Sequence, residues 1–581
     1  MKKAIGWALT TLGAVGLAMA LAPSRTIDGL ASPAAAATPA PGCDADNGGL
    51  ALPPGFCATI FADGLGHARH LTIAPDGTLY VNTWSGAYYR SPPPTGGFIV
   101  ALRDSKGDGH ADQIARFGAN PARGGRGGTG IALYGGYVYA EEGDSIVRYR
   151  LTPGEMAPAG PAETVLSGMP LTGNHTMHPF VIDAAGKLYV DMGSATNACQ
   201  KEDRQEGSPG NQPCTELETR AGTWRYDANV PGQRFSPAER FATGLRNGEG
   251  FAFDVDGRLY GTQHGRDQLA QNWGKLYTAE QGAELPSEEL VLLRQGADFG
   301  WPTCYYDGTR KKLVLAPEYG GDGGRAVGLC ASKQAPVAAF PAHWAPNDLV
   351  ILTAPGTPAA YRGGALIAFH GSWNRAPAPQ AGYNLVFQPL AGGKAAGPYV
   401  VFADGFAGAT RDPADAAFRP AGLAQGQDGA IYVADDAHGR IWKIMWRGGA
   451  GSNGVQAAVA IAAASAAPVG ASSGSGLPVP PGSSAEEVAL GNRIFHGAAE
   501  NGTCAGCHGG NGGGSAMGAS LIGGRWLWSD GSLAGITRTI AEGVAKPRQA
   551  SGAMPPRGGA PLSDAGLKAV AAYSWAIGHK G

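Results

Sequence analysis

Charge is scarce in this sequence. Asp, Glu, Lys and Arg make up 16% of 581 residues, against a norm of about one-quarter, and the formal net charge is −2. No cluster of Lys and Arg stands out. Nothing therefore favours nucleic acid, nor the anionic membrane surface that a polybasic stretch would seek. Cysteine is sparse too, at eight residues. The apolar run Val455–Ala464 is too short to cross a bilayer. What abounds is glycine, 94 residues, about twice average usage. That composition suits a turn-rich all-β protein and argues against a helical one.

The length implies more than one domain. Residues 1–37 read as an export signal with an uncertain cleavage site: Lys2 and Lys3, an apolar run over 4–22, then small residues at Ala18-Met19-Ala20 and Ala34 to Ala37. The run is long enough to span a membrane, so an uncleaved anchor stays open. Either way the body of the chain is expected outside the cytoplasm, in the periplasm. Six cysteines, Cys43, Cys57, Cys199, Cys214, Cys304 and Cys330, fall into three local pairs. Short closed loops in an oxidising compartment suggest disulfides. Sequential pairing is preferred among the fifteen arrangements that six cysteines allow.

The other two cysteines lie in Cys504-Ala505-Gly506-Cys507-His508, the attachment signal of a c-type haem. Two thiols can add to the haem vinyl groups, and the adjacent imidazole is then placed under the iron. A redox-active Cys-x-x-Cys would call for a thioredoxin-like βαβ context, and Gly/Ser-rich loop flanks the motif instead. His508 is the expected proximal ligand. For the distal ligand Met554, on the loop Gly552-Ala553-Met554-Pro555-Pro556, competes with Met517; Met554 is preferred. A Met/His pair raises the potential, which suits an electron acceptor.

Residues 448–483 form a Gly/Ala/Ser/Pro linker whose composition cannot bury a core. A flexible chain of that length spans roughly 30–35 Å r.m.s.. Residues 484–581 then form a small helical domain: Ser484 and Glu487 make a capping box for a helix through about Phe495, and Ser563 caps a second over 563–577. Within 38–447 one phrase recurs, a turn followed by an apolar strand. It appears as Ala74-Pro75-Asp76-Gly77-Thr78-Leu79-Tyr80-Val81, as Ala184 to Val190, as Asp254 to Tyr260 and as Gly426 to Val433, with weaker copies at Leu133 to Tyr139 and Tyr361 to Ile367. Asp-Gly supplies the φ > 0 residues of a tight hairpin turn. Six copies predict an all-β six-bladed β-propeller; an irregular pair of β-sandwiches would leave the recurrence unexplained.

Around these repeats the sequence resembles the glucose/sorbosone dehydrogenases, six-bladed propellers that use pyrroloquinoline quinone (PQQ) and calcium. The matching stretches are Asn174-His175, Gly193 to Asn197, Gly244-Leu245-Arg246-Asn247, Phe299 to Pro302, His370 to Arg375 and Ala434-Asp435-Asp436. The stretch His370-Gly371-Ser372-Trp373-Asn374-Arg375 points to the sorbosone or pyranose branch, which includes members fused to a cytochrome. The C-terminal domain looks like a class I cytochrome c. The resemblance implies that His175 is the general base that takes a sugar hydroxyl proton, with His178 its nearby competitor. It implies that Arg246 faces the quinone, with Asn247 beside it; Glu249 is the one obvious acidic neighbour. It places calcium at the carbonyls of Gly265 and Arg266, and the PQQ carboxylates near His370 and Arg375, with Trp373 as cofactor contact or packing.

The expectation is thus a quinoprotein oxidoreductase that oxidises an aldose, sorbosone or related keto-aldose and passes electrons to the covalent haem and on to an external acceptor. A calcium-dependent, lactonase-like propeller hydrolase and a non-catalytic propeller attached to a cytochrome are the alternatives. The haem motif yields a first test. Exported protein should stain for haem on a denaturing gel, and Cys507→Ala should lose most of the stain. Haem that acidified solvent removes from the native protein would rule out covalent attachment.

Overall fold

The computed structural model describes residues 42–84, 95–121, 125–411, 416–448, 454, 456, 458–459, 476–502, 504–514, 518–548 and 553–580. The export signal, most of the linker and Met517 lie outside the described residues.

The recurring phrase folds the same way each time. Gly77, Gly136, Gly186, Gly257, Gly363 and Gly429 all have φ between 77° and 87°, the left-handed region that glycine adopts without steric cost. Each turn joins the first and second strands of a four-stranded antiparallel blade, to which blade 2 adds a short parallel fifth strand, Gln233–Arg234. In blade 1, Leu71–Ile73 pairs with Leu79–Asn82, followed by Ile99–Arg103 and Gln113–Phe117. Blade 2 runs Ile131–Tyr134 to Glu163–Ser167, blade 3 Phe180–Ile182 to Arg240–Thr243 and blade 4 Phe251–Phe253 to Ala338–Phe340. Blade 5 runs Pro346–Ile351 to Val400–Ala403. The first strands of the six blades neighbour one another in a closed ring, which gives the expected six-bladed propeller.

Blade 6 is completed from the far end of the chain. Pro420–Gln425, Ile431–Asp435 and Ile441–Trp446 take Phe56–Ala62 as their outer strand, with Phe56 opposite Trp446. The Cys43–Cys57 disulfide ties this strand to the segment before it, and Cys199–Cys214 and Cys304–Cys330 are paired as well. Alternation within each middle strand feeds two cores. Leu188 and Val190 pack between blades 2 and 3, while Tyr189 packs between blades 3 and 4.

The C-terminal domain contains the two expected helices, Ala485–Phe495 with its capping box and Asp564–Gly578 capped by Ser563. They cross closely, because a side chain at Gly491 would overlap the Ala569 carbonyl. Two further helices, Cys504–His508 and Leu533–Glu542, complete it. No helix among the described residues is long and apolar enough to cross a membrane.

Trp442 holds the ring closure. It is fully buried, packs edge-on against Phe406 and Phe418, and donates from Nε1 to the Gly48 carbonyl at 2.9 Å. Trp442→Ala should cost about 3–5 kcal/mol, the usual range for a buried Trp or Phe. Denaturant unfolding of the purified protein measures it; a loss under about 1 kcal/mol would show that the closure does not depend on this side chain.

Candidate active site

His175 lies on the loop that leads into blade 3. Its Nδ1 is 2.8 Å from the Ser194 carbonyl, so Nδ1 carries the hydrogen and Nε2 is the basic nitrogen. Arg220 staples this loop, donating to the carbonyls of His175 at 2.9 Å, of Gly193 at 3.2 Å and of Thr172. Burial, then the nearby Arg246 cation, hold the His175 imidazole well below the usual histidine range, hence neutral. Its competitor His178 is fully buried, and both ring nitrogens are hydrogen-bonded, to Glu141 at 2.8 Å and to the Pro170 carbonyl at 3.0 Å. It has no route to a substrate.

Gly193 lets His175 and Asn247 approach each other; a Cβ there would come within 2.7 Å of both. Asn247 donates to Glu249 at 3.1 Å, while its buried Oδ1 has no hydrogen-bond partner among the described residues. Arg246 donates to the Asn197 carbonyl and Oδ1 at 3.0 Å each, to the Gly265 carbonyl at 2.9 Å and to Asp267 at 2.9 Å. The partner of Arg246 is therefore Asp267. Glu249, the neighbour suggested by sequence, lies instead 3.6 Å from Arg69. Asp267 also receives Arg204 at 3.0 Å and Asn374 at 2.9 Å. Burial disfavours its ionisation, but Arg246 and Arg204 outweigh it and hold the carboxyl below the usual range.

The calcium expectation meets an obstacle here. The Gly265 carbonyl already accepts from the Arg246 guanidinium, and a divalent cation at that oxygen would face a fixed positive charge. The Arg266 side chain is turned inward to Glu318. Among the described residues no group of three or more His, Cys, Asp or Glu is placed to hold a metal ion. As arranged, the Gly265 carbonyl does not fit calcium.

For an anionic quinone the fit is better, though not through the residues expected. Arg375 is held by Glu284 at 2.6 Å and by the carbonyls of Ala342 and Pro379, so it joins loops and presents no cation to the centre. His370 meets Asp436 at 2.8 Å; burial and the Arg419 cation push it down to about 4, so it brings no positive charge. Arg419 is the cation that sequence reasoning missed. Its guanidinium donates to the His370 and Gly371 carbonyls, and no carboxylate lies within ion-pair distance among the described residues. It precedes the first strand of blade 6, and no local pattern marks it. Arg246 and Arg419 are the groups able to donate to carboxylate and carbonyl oxygens, and Asn247 Oδ1 can accept from an N–H or O–H.

The haem site is more complete. Cys504, Cys507, His508 and Met554 line one cleft of about 1170 Å³, mouth included, with Phe495 and Ile540 among its apolar walls. His508 Nδ1 donates to the Ala519 carbonyl at 2.7 Å, which orients the ring with Nε2 as the ligating atom. Met554 is fixed by paired backbone hydrogen bonds to Val544. The donor set and the apolar walls fit a covalent haem. The propeller reaches this cleft as well: Gln268 lines it, and burial raises the Cys507 thiol, with the Arg204 and Asp267 charges also acting on it.

Residues 50–447 match the TrAA12-like family model, and residues 487–573 match that of cytochrome c oxidase, cbb3-type, subunit III. No curated protein matches the chain. It is similar to the iodide structure of Trichoderma reesei carbohydrate-active enzymes family AA12, with 20% identity, a TM-score of 0.55 and coverage of 68% of this chain and 98% of that one. It is also similar to the holo form of the pyranose dehydrogenase PQQ domain from Coprinopsis cinerea, with 19% identity, a TM-score of 0.54 and coverage of 68% and 97%. At such identities the structural likeness establishes the fold.

Met554→Ala should abolish the sulfur-to-iron charge-transfer band of the oxidised protein and leave haem attachment intact. Met517→Ala should spare the band; the opposite pattern would transfer the axial role to Met517.

Proposed function

Since the chain belongs to the TrAA12-like family and carries a cytochrome c domain on the same polypeptide, we propose that it oxidises an aldose, sorbosone or related keto-aldose at PQQ and delivers the electrons to its own haem c. One observation carries the reading: a neutral His175, its Nδ1 anchored on a carbonyl, stands beside the Arg246 cation in the propeller whose residue Gln268 lines the haem cleft. PQQ, when bound, supplies the hydride acceptor. Arg246, Arg419 and Asn247 would hold it.

The chain's own part is proton handling and charge placement. His175 Nε2 takes the proton of the sugar hydroxyl as the carbon–hydrogen bond is broken. Nδ1 stays on Ser194, so the ring does not rotate, and the imidazolium formed is stabilised through that hydrogen bond. Arg246 is rigidly held by Asn197, Gly265 and Asp267. It provides a fixed cation where negative charge accumulates, without reorganisation during the step. A hydrolase has no use for the haem cleft, and a non-catalytic propeller has none for a neutral histidine beside a buried cation. The lysine-led apolar N-terminus and three disulfides support export to the periplasm, where an external acceptor reoxidises the haem.

His175→Ala should retain PQQ and lose roughly 10²–10⁴ in turnover, the usual weight of general base catalysis. Because burial and Arg246 depress the native imidazole, the base is already deprotonated at neutral pH. Wild-type kcat/KM should therefore fall only on the acid side of the ordinary histidine range. An acid limb at or above 6.5, or near-wild-type turnover without His175, would remove this residue from the mechanism.

A further inference from the structure

The turn that carries the haem motif is pressed onto the propeller at one residue. A side chain at Gly506 would overlap the indole ring of Trp373, so the backbone between the two haem cysteines lies directly on that ring. Around this contact, Gly497 faces Ala376, and Gly559 faces Gln268 and Gln271. Two routes lead back from it to the candidate centre. Trp373 is followed by Asn374, whose Nδ2 donates to Asp267 at 2.9 Å. Gln268, in the wall of the haem cleft, accepts from Arg204 at 2.9 Å, and Arg204 donates to Asp267 at 3.0 Å. Both routes end at the carboxylate that Arg246 touches at 2.9 Å. Electron tunnelling weakens steeply across empty space, and this path contains bonds, hydrogen bonds and one ring-to-backbone contact.

We propose that Trp373 is the dock of the haem-bearing turn and the point at which electrons leave the propeller, with Gly506 the residue whose missing side chain permits the contact. The inference rests on the sugar-oxidising reading for its electrons, while the dock itself does not. Two electrons leave per sugar, singly. Two ferric-to-ferrous steps, each followed by reoxidation by an external one-electron acceptor, balance one turnover. The hydroxyl proton goes to His175 and from there to solvent, and the proton that travelled with the hydride is released to solvent as the electrons leave. Trp373 touches the haem motif and not the sugar, so it is a positioning and relay residue.

The test uses full-length protein loaded with haem and PQQ, with three variants: Gly506→Leu, Trp373→Leu and Trp373→Phe. Hydrogen exchange over 268–272 and 373–376, measured without sugar, reads the dock. Reduction of a diffusing dye and of the haem, each driven by sugar, reads the two half-reactions separately. Gly506→Leu should keep its haem content, axial band and dye-coupled rate. It should lose protection in both segments and slow haem reduction about tenfold or more, the scale of an overpacked contact. Trp373→Leu should behave likewise, and Trp373→Phe, which keeps a ring, should recover most of both readouts. Wild-type protection with wild-type haem reduction in Gly506→Leu would overturn the proposal. Lost protection with undiminished haem reduction would overturn the electron role of Trp373. If wild-type protein reduces neither dye nor haem with any sugar, the functional reading fails, and hydrogen exchange still decides the dock.

Discussion

Asp267 is a half-buried carboxylate that three parts of the propeller have to satisfy together. Arg204 comes from the loop after blade 3's second strand, Arg246 from the entry to blade 4 and Asn374 from the loop after blade 5's second strand. Its own backbone is fixed by Asn197, which accepts from its amide and donates to its carbonyl at 2.9 Å each. A buried ion pair contributes little to net stability, yet leaving one partner uncompensated costs about 3–5 kcal/mol. The loops are therefore not independent. The position of Arg246 beside His175 depends on Arg204, and the position of Trp373 depends on its neighbour Asn374. The candidate chemistry and the candidate dock share one electrostatic constraint.

That constraint explains which parts of the molecule were legible in the sequence. The blades were, because the signal is local: a turn glycine, preceded by Asp, Gly, Ala or Arg, and the apolar strand after it are contiguous, and that glycine takes a positive φ in all six copies. The capping boxes of the C-terminal domain were legible for the same reason. Ring closure was not, since Phe56–Ala62 and Ile441–Trp446 are remote in sequence and nothing local marks them as partners. In the site, His175 and Arg246 stood in motifs that resemble a known family. Arg204, Arg220, Gln268 and Arg419 lie in irregular connections where position depends on tertiary contacts. The acidic partner of Arg246 shows the limit clearly. Proximity along the chain favoured Glu249, but burial beside Arg69 takes that residue out of reach, and the real partner lies 21 residues away.

Glycine, the residue the composition singled out, serves two distinct purposes. At the blade turns it supplies a backbone conformation. At Gly193, Gly491 and Gly506 it supplies the absence of a side chain: His175 against Asn247, one helix against another, and the haem turn against an indole. The first use builds the scaffold and the second brings functional parts into contact. A composition count cannot separate the two, because both raise the same number.

The contact at Trp373 can fall short of the roughly 1,000 Å² expected of a stable interface between separate proteins. It does not need to be large. The cytochrome is tethered, and a short flexible tether supplies an effective concentration of about millimolar. The segment leaving the propeller is itself partly engaged. Gln456 donates to the Ala360 carbonyl at 2.5 Å, and the Val459 amide donates to the Val401 carbonyl at 3.0 Å, both on the blade whose loop carries Trp373. These contacts shorten the free part of the tether from the full 448–483 span. A dock with a dissociation constant of about 1 mM would then be closed a good part of the time and open the rest.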